Sequence, residues 1–225
     1  MNLDRLRRGL VAAATATVTA SAVVAAPALA PLPAPVAAAQ GCSDVTVVFA
    51  RGTGEPPGIG RVGQAFVDAL RPQLGARSLF TYGVNYPASY DFALASDGAT
   101  DATTFVTNTA LTCPSTRIVI GGFSQGAAVV DMLGGIPPLG NRLGALGPAL
   151  PATVSPNVAA VAVFGNPATK FGNPITSAPL FGARAIDLCK DGDPICSNGR
   201  NPFAHSDYVG AGLAAQAAGF VARLL

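Results

Sequence analysis

Apolar residues follow two patterns that alternate along the chain. Continuous apolar runs are typical of strands buried on both faces of a parallel sheet. These runs occupy residues 45–50, 79–84, 117–121, 158–164 and 184–188. Between them, apolar residues recur three or four positions apart, which predicts amphipathic helices, the last of them over 206–225. Strands that alternate with helices favour a parallel sheet covered on both faces. The pattern therefore predicts a three-layer α/β/α sandwich with a central five-stranded parallel sheet.

One long segment interrupts this alternation. Residues 135–156 contain five prolines and follow neither apolar pattern. A segment of this length without regular structure is either a functional flap or a surface insertion. It comes directly after the helix predicted to begin near residue 125, so a flap formed by it would lie near a site that includes this helix. The sequence leaves both interpretations open.

The first 39 residues have the features of a secretory signal peptide. Three arginines among the first eight residues give a positive start, and an apolar, uncharged stretch follows up to Ala30. Cleavage after Ala30 would leave a proline first, which signal peptidases disfavour, so we expect the cut before Gln40. An uncleaved membrane anchor is the alternative, but the prolines near Ala30 would break its helix. We predict a signal peptide at 1–39, which is removed, and a secreted domain at 40–225, extracellular or associated with the cell envelope.

The composition restricts the classes of partner. Half of the residues are hydrophobic, 12% are charged, and the formal net charge is +2. Basic residues do not cluster outside the first eight positions, so we do not expect a nucleic-acid partner. After the leader, no apolar stretch reaches the length of about 18 residues that a membrane span needs.

All four cysteines, Cys42, Cys113, Cys189 and Cys196, follow the predicted cleavage site. An even number in an exported chain indicates two disulfides. Three pairings are possible, and the close spacing of Cys189 and Cys196 favours a bond between them, which leaves Cys42 for Cys113. A zinc site is the competing interpretation. The cysteine spacing fits no common zinc pattern and the chain has one histidine, so we predict no metal.

A Gly-x-Ser-x-Gly motif, Gly122 to Gly126, follows one of the predicted strands and precedes a helical stretch. This order is typical of a nucleophile elbow, where a sharp strand-to-helix turn exposes a serine hydroxyl over the end of a parallel sheet. Glycines suit such a turn because Cβ atoms would collide with the neighbouring strand and helix. In a chain with 26 glycines the motif alone has low specificity. The assignment of Ser124 as nucleophile therefore depends on its partners.

A serine hydroxyl near pH 7 needs a neighbouring base to take its proton, and histidine is the usual base. His205 is the one histidine of the chain. It follows the last predicted strand, which is where a triad in the order serine, acid, histidine places its base. We therefore predict that His205 activates Ser124.

The acid that orients the imidazole should follow the last predicted strand. Asp187 lies within that strand, and we interpret Asp207 as a first-turn carboxylate of the last helix, where the dipole favours negative charge. Asp191 and Asp193 lie inside the loop that the short disulfide would close. Chemistry alone does not separate these two candidates.

Several motifs together resemble the cutinase family over nearly the whole chain from Cys42. The motifs are Phe49 to Thr53, Gly122 to Gly126, Cys189 to Cys196, and His205. Members of this family are secreted serine esterases of the α/β-hydrolase fold. The family's acid is four residues after the first cysteine of the short disulfide, which implies Asp193 here, with Asp191 as the alternative. The disulfides of the family match the pairing given above.

The resemblance also implies an oxyanion hole made by the backbone N–H groups of Thr53 and Gln125, with the Thr53 hydroxyl as a further donor. Gln125 begins a helix, whose dipole favours negative charge at that end. The implied reaction starts when Ser124 attacks an ester carbonyl while His205 takes its proton. An acyl-enzyme forms and is then hydrolysed by water, without a metal or cofactor.

Two features differ from the cutinases of plant pathogens. Residues 197–204 are more polar than the apolar lip with which those enzymes meet insoluble polyester, and the segment 135–156 is unusual; both argue against cutin as the substrate. The resemblance is to bacterial cutinase-like esterases. We therefore expect a monomer that hydrolyses small-molecule or lipid esters of short to medium acyl chain, with a lipid interface as a further partner. The alternatives are an acetyl ester hydrolase on polysaccharide and a non-catalytic lipid-binding surface protein.

Overall fold

A computed structural model of the protein describes residues 41–141 and 147–225, and the predicted signal peptide at 1–39 lies outside them. The strands are β1 (Val45–Ala50), β2 (Leu79–Gly83), β3 (Arg117–Phe123), β4 (Pro138–Asn141), β5 (Val158–Phe164) and β6 (Ala185–Leu188). The α-helices are α1 (Gly60–Leu70), α2 (Ala95–Thr112), α3 (Gln125–Leu133), α4 (Pro167–Lys170) and α5 (Leu213–Ala222). Among these described helices, none is long and apolar enough to cross a bilayer.

Five of the strands form one parallel sheet in the order β2-β1-β3-β5-β6. The predicted five-stranded parallel sheet is therefore confirmed, and the short β4 is not part of it. From β1 the chain first goes to β2 on one side of the sheet and then returns to β3 on the other. Such a reversal leaves a crevice at the carboxyl ends of the two central strands, where ligands of α/β proteins bind.

Helices cover both faces of the sheet and complete the three layers. On one face, α1 and α5 enclose Phe49, Phe66 and Phe164, whose ring centroids are each 6.2 Å from the other two. On the other face lie α2 and α3. Every residue of α3 is buried, from Gln125 to Leu133. Because neighbours surround this helix on all sides, packing fixes the position of its first residue.

The last helix begins later than the sequence predicts. The apolar period predicted a helix over 206–225, but α5 begins at Leu213. Gly212 has a φ of 74°, a left-handed conformation that interrupts a helix, and the chain before it forms turns. The interpretation of Asp207 as a first-turn helix carboxylate is therefore wrong. The Asp207 carboxylate instead pairs with Lys190 at 3.2 Å.

Both disulfides have the predicted pairing. The bond between Cys42 and Cys113 joins the segment before β1 to the end of α2. The bond between Cys189 and Cys196 closes the loop that follows β6. The second bond lies at the carboxyl edge of the sheet, so it restricts a loop beside the crevice.

Candidate active site

Ser124 lies at the turn between β3 and α3, at the carboxyl edge of the sheet. Its φ of 55° is unusual for a residue with a side chain and identifies a strained turn. The Ser124 N–H donates to the Phe164 carbonyl of β5 at 2.9 Å, which holds the turn against the next strand. The hydroxyl is consequently presented above the sheet, in the geometry of a nucleophile elbow.

The two glycines of the motif are required by close packing around this turn. A Cβ atom on Gly122 would lie 2.2 Å from the Gly126 carbonyl oxygen, and one on Gly126 would lie 1.9 Å from the Ala50 carbonyl oxygen. Both distances are far inside van der Waals contact, and each involves backbone rather than a flexible side chain. The motif is therefore a packing requirement of the elbow as well as a sequence signature.

His205 lies in a single 3-10 turn, Ala204–Ser206, in the loop after β6. Its Nε2 is 2.8 Å from the Ser124 Oγ, although these residues are 81 positions apart. The imidazole stacks on Phe123, with ring centroids 4.9 Å apart. On the other side it passes Gly165, where a Cβ atom would lie 2.9 Å from the ring. The ring is thus held between β3 and the end of β5.

Asp193 is fully buried inside the loop closed by the short disulfide. Its Oδ2 is 2.8 Å from the His205 Nδ1, and its Oδ1 accepts from the Ile195 N–H at 2.8 Å. Burial opposes the charge of this carboxylate, but hydrogen bonds from His205, Tyr208 and Ile195 outweigh it and lower the pKa of Asp193. Asp193 is therefore an anion suited to orient the imidazole.

The other acidic candidates have different positions. Asp191 is exposed on the same loop. Asp187, on β6, belongs to a buried cluster in which Asn166 Nδ2 donates to Asp187 Oδ2 at 2.9 Å and to Asp131 Oδ1 at 3.0 Å. Burial raises the pKa of Asp131 well above its usual value and also raises the pKa of Asp187. The Asp187 Oδ2 also accepts from the Thr169 hydroxyl and the Ile175 N–H, so among described residues this carboxylate bonds to the cluster and not to His205.

Tyr208 was not predicted as a member of the site. Its hydroxyl donates to the same Asp193 Oδ2 that faces His205, at 2.7 Å, and accepts from the Lys190 N–H at 3.1 Å. The residue is fully buried. Tyr208 follows His205 by three positions. Because α5 begins only at Leu213, Tyr208 lies in a turn and not in a helix. The available signal was a tyrosine three residues after the lone histidine.

The loop after β1 carries Thr53 to the edge of the site. The Thr53 hydroxyl donates to the Gln125 Oε1 at 3.2 Å, and Gln125 Nε2 donates to the Ser89 carbonyl at 2.9 Å. Gln125 is the first residue of α3, so its N–H has no acceptor within that helix. The Gln125 side chain therefore connects the loop that contains Thr53 with the loop that contains Ser89. Its own backbone N–H lies at the N-terminus of α3, where the helix dipole favours negative charge.

Two charged residues hold this loop in shape. Arg51 is almost fully buried and donates to the carbonyls of Glu55, Val84 and Tyr86 at 2.8, 3.2 and 2.6 Å. The Glu55 carboxylate accepts from the N–H groups of Gly52 and Arg61 at 2.6 and 2.8 Å. Because these bonds engage backbone on both sides of Thr53, they fix the loop that presents it.

A cleft above Ser124 has two halves that share part of their lining and differ in how many polar side chains they contain. The apolar half is a groove of about 400 Å³ whose lining includes Phe92, Leu139, Pro167, Lys170, Phe171 and Ile195. The polar half, of about 410 Å³, shares Phe92 and Ile195 with the apolar half, and the rest of its lining includes Phe123, Thr53, Glu55, Arg61, Tyr90, His205 and Ser206. Ser124 borders both halves. Leu139 belongs to the segment 135–156, so part of that proline-rich segment lies beside the serine.

The fold and its elbow serine define the class of the protein, which is that of the α/β-hydrolases. A family model described as cutinase matches residues 41–225. A phospholipase of Mycobacterium tuberculosis, Culp4, is 52% identical over 186 residues, which cover 82% of this chain and 80% of that protein. A carboxylesterase of Mycobacterium bovis, Culp1, is 45% identical over 197 residues, covering 84% and 85%. A Trichoderma reesei cutinase in complex with a C11Y4 phosphonate inhibitor has a TM-score of 0.65 and 34% identity, covering 81% and 77%.

The chain belongs to the cutinase family, and it is a carboxylic ester hydrolase. The family relationship that the sequence motifs indicated is therefore confirmed. The two alternatives, an acetyl ester hydrolase on polysaccharide and a non-catalytic surface protein, are not favoured.

Proposed function

We propose that Ser124, His205 and Asp193 form the catalytic triad with which this enzyme hydrolyses esters of short to medium acyl chain. The observation that carries the proposal is the continuous hydrogen-bond chain from the Ser124 Oγ through both imidazole nitrogens to the Asp193 Oδ2, with 2.8 Å at each contact. A base within this distance of the nucleophile, itself oriented by a buried carboxylate, is the arrangement that acyl transfer requires.

The reaction then proceeds in two halves. Ser124 Oγ attacks the ester carbonyl while its proton passes to His205 Nε2, and the oxyanion accepts hydrogen bonds from the N–H groups of Gln125 and Thr53. His205 returns the proton to the leaving alcohol, which departs and leaves an acyl-serine. Water attacks this acyl group, again with His205 as base, and releases the carboxylic acid and free Ser124. Asp193 stabilises the imidazolium at each stage.

The apolar half of the cleft supports the assignment of acyl chain length. Its lining by Leu139, Pro167 and Phe171, which the polar half lacks, offers apolar contact to a chain, and its volume of about 400 Å³ is near the lower end of ligand pockets. We expect p-nitrophenyl butyrate and hexanoate to be hydrolysed with a higher kcat/KM than the acetate and the palmitate. A chain-length series measured below the solubility limit tests this. Activity restricted to acetate and acetylated xylan would instead support the alternative of a polysaccharide acetyl esterase.

We propose that Tyr208 positions the Asp193 carboxylate. The pH profile of kcat/KM distinguishes this role from a purely structural contribution of Tyr208 to the fold. Tyr208→Phe removes one of the donors that lower the pKa of Asp193, so that pKa rises. The acid limb of kcat/KM reports the hydrogen-bonded pair of His205 and Asp193, so it should move to higher pH by less than about one unit, with kcat lower by about two- to tenfold.

Tyr82→Phe is the matched control for this variant, because Tyr82 also donates to a carboxylate, Asp101, at 3.0 Å, but does not line the cleft. Its acid limb should coincide with that of the wild type. If the limb of Tyr208→Phe also stayed in place while the rate fell uniformly, Tyr208 would only support the fold.

Export and contact with lipid interfaces are part of the proposal. Two disulfides suit an oxidising compartment, and the predicted signal peptide provides the route. The exposed fractions of Tyr90 and Phe203 are 85% and 81%; Tyr90 lines the polar half, and Phe203 lies two residues before His205. Exposed aromatic rings around a cleft suit contact with a lipid surface. The mass of the exported protein, expected to begin at Gln40 and to be monomeric, tests the boundary.

A further inference from the structure

Two carboxylates share one asparagine amide behind the elbow. Asn166 Nδ2 donates to Asp131 Oδ1 on α3 at 3.0 Å and to Asp187 Oδ2 on β6 at 2.9 Å. The common donor keeps these oxygens at most about 6 Å apart, a distance at which like charges repel. Asp131 and Asn166 are fully buried. The remaining oxygens, Asp131 Oδ2 and Asp187 Oδ1, are buried too and have no hydrogen-bond partner among described residues.

This cluster can hold one negative charge but not two. Two carboxylates this close in a buried site do not both ionise, because each opposes the charge of the other. Asp187 Oδ2 accepts three hydrogen bonds from described groups, whereas Asp131 Oδ1 accepts one. Burial raises the pKa of Asp131 well above its usual value, and the charge of Asp187 raises it further, against the lowering effect of the Asn166 hydrogen bond. The proton therefore belongs on Asp131 and the charge on Asp187.

No ion pair among the described residues includes either carboxylate. The charged residues on the elements that pack against α3 are Asp97 and Asp101 on α2, Arg117 on β3 and Lys170 on α4. The two cations of this set donate to backbone carbonyls elsewhere. The charge that acts on Asp131 is that of Asp187.

The shared amide also fixes the start of α4. Asn166 is the N-cap of this helix, and its Oδ1 accepts from the Ala168 N–H at 2.9 Å. A helix of four residues has too few internal hydrogen bonds to hold its own shape, so the cap sets its position. Pro167 and Lys170 of α4, together with Phe171, line the apolar half of the cleft. The two carboxylates thus act on one wall of that half through Asn166.

We propose that Asp131 stays protonated in the active enzyme and, with Asp187, positions Asn166 and α4 so that the apolar half of the cleft fits an acyl chain. This proposal rests on the proposed function, which places the acyl chain in that half. Loss of the Asp131 proton puts a second anion beside Asp187, and the repulsion displaces Asn166 and the wall that it holds. Asp131 is accordingly a positioning residue, which acts on the substrate through Asn166 and not by contact.

The infrared spectrum tests the protonation without any substrate. At pH 7 exposed aspartates are ionised, so the carbonyl stretch of a protonated carboxyl should appear in the wild type and be absent from Asp131→Asn. Asp101→Asn is the matched control, because Asp101 lies on the neighbouring α2 and accepts from the Tyr82 hydroxyl and the Asn85 N–H, outside the cluster. It should keep the band. A wild type without this band, or an Asp131→Asn variant that retains it, would overturn the proposal.

The pH dependence of unfolding gives a second readout. A carboxyl with a raised pKa in the folded chain binds its proton more tightly there than in the unfolded chain. Its contribution to stability is fully present below the usual aspartate pKa and is lost as the pH rises to the raised value. The urea midpoint of the wild type should therefore fall relative to that of Asp131→Asn as the pH rises through this window. A constant difference between the two midpoints would contradict the assignment of the proton to Asp131.

The groove is tested by the ratio of kcat/KM for p-nitrophenyl hexanoate to kcat/KM for the acetate. Asp131→Ala removes the acceptor for Asn166, so at pH 7 this ratio should fall by about three- to tenfold. Asp131→Asn is neutral, like the protonated acid, and should restore most of the ratio. In the wild type the ratio should fall over the pH range in which the infrared band is lost, and in Asp131→Asn it should not.

The outcomes are separable. Equal losses in Asp131→Ala and Asp131→Asn would mean that the anion is required, and an unchanged ratio in a folded Asp131→Ala would mean that the cluster does not reach the groove; either result overturns the proposal. If Asp131→Ala does not fold, the comparison of the wild type with Asp131→Asn across pH still decides. Failure of the wild type to hydrolyse either ester would count against the proposed function, while the infrared band would still report the proton.

Discussion

Replacing Ser124 with alanine is expected to lower kcat for p-nitrophenyl butyrate by about a millionfold, and His205→Ala should have a similar effect. Without Ser124 Oγ there is no nucleophile in the cleft. Without His205 the hydroxyl keeps its proton, because His205 is the one histidine of the chain and Nε2 is the group within 2.8 Å of that oxygen. The residual rate would come from the oxyanion hole and from binding alone.

The measurement is a steady-state rate together with thermal unfolding, so that lost activity can be separated from lost structure. Labelling by a fluorophosphonate probe provides a second readout: the wild type should gain the mass of one probe at Ser124, and Ser124→Ala none. Substantial turnover by either folded variant, after contaminating esterases have been excluded by active-site titration, would disprove the proposed triad.

Replacing Asp193 with asparagine is expected to lower kcat by about ten-thousandfold. Both carboxylate oxygens accept hydrogen bonds, Oδ2 from His205 and Tyr208, and Oδ1 from the Ile195 N–H. An amide of the same shape places an NH₂ group against one of these donors. If that group faces the imidazole, it selects the tautomer with a proton on Nε2, which no longer accepts the proton of Ser124.

Asp191→Asn is the control, because Asp191 lies on the same loop but is exposed. It was also the alternative acid that the sequence left open, so the pair of variants decides between them. Asp191→Asn should retain nearly full activity. Equal losses in the two variants would mean that the loop charge as a whole matters, and an inactive Asp191→Asn beside an active Asp193→Asn would reverse the assignment.

The sheet and the elbow were predictable because their signals are local. Runs such as 158–164 are apolar over their whole length, which burial on both faces of a parallel sheet requires, and the structure gives β5 the same bounds. The glycines at 122 and 126 reflect contacts within a short strand-to-helix turn. The start of α5 was not predictable in this way, because 206–225 keeps an apolar period while Gly212 takes a left-handed conformation.

The sequence by itself determined the order of the elements, the candidate nucleophile and the lone base, since each depends on residue type and neighbours along the chain. Only the tertiary structure showed that Asp193 is buried against His205 while Asp191 is exposed, and that Tyr208 donates to the same carboxylate. Likewise, it placed Arg61 beside the Ser206 carbonyl. The physical reason is that hydrogen bonding and burial depend on distances between residues far apart in the chain, and those distances exist only after the sheet and its loops have packed.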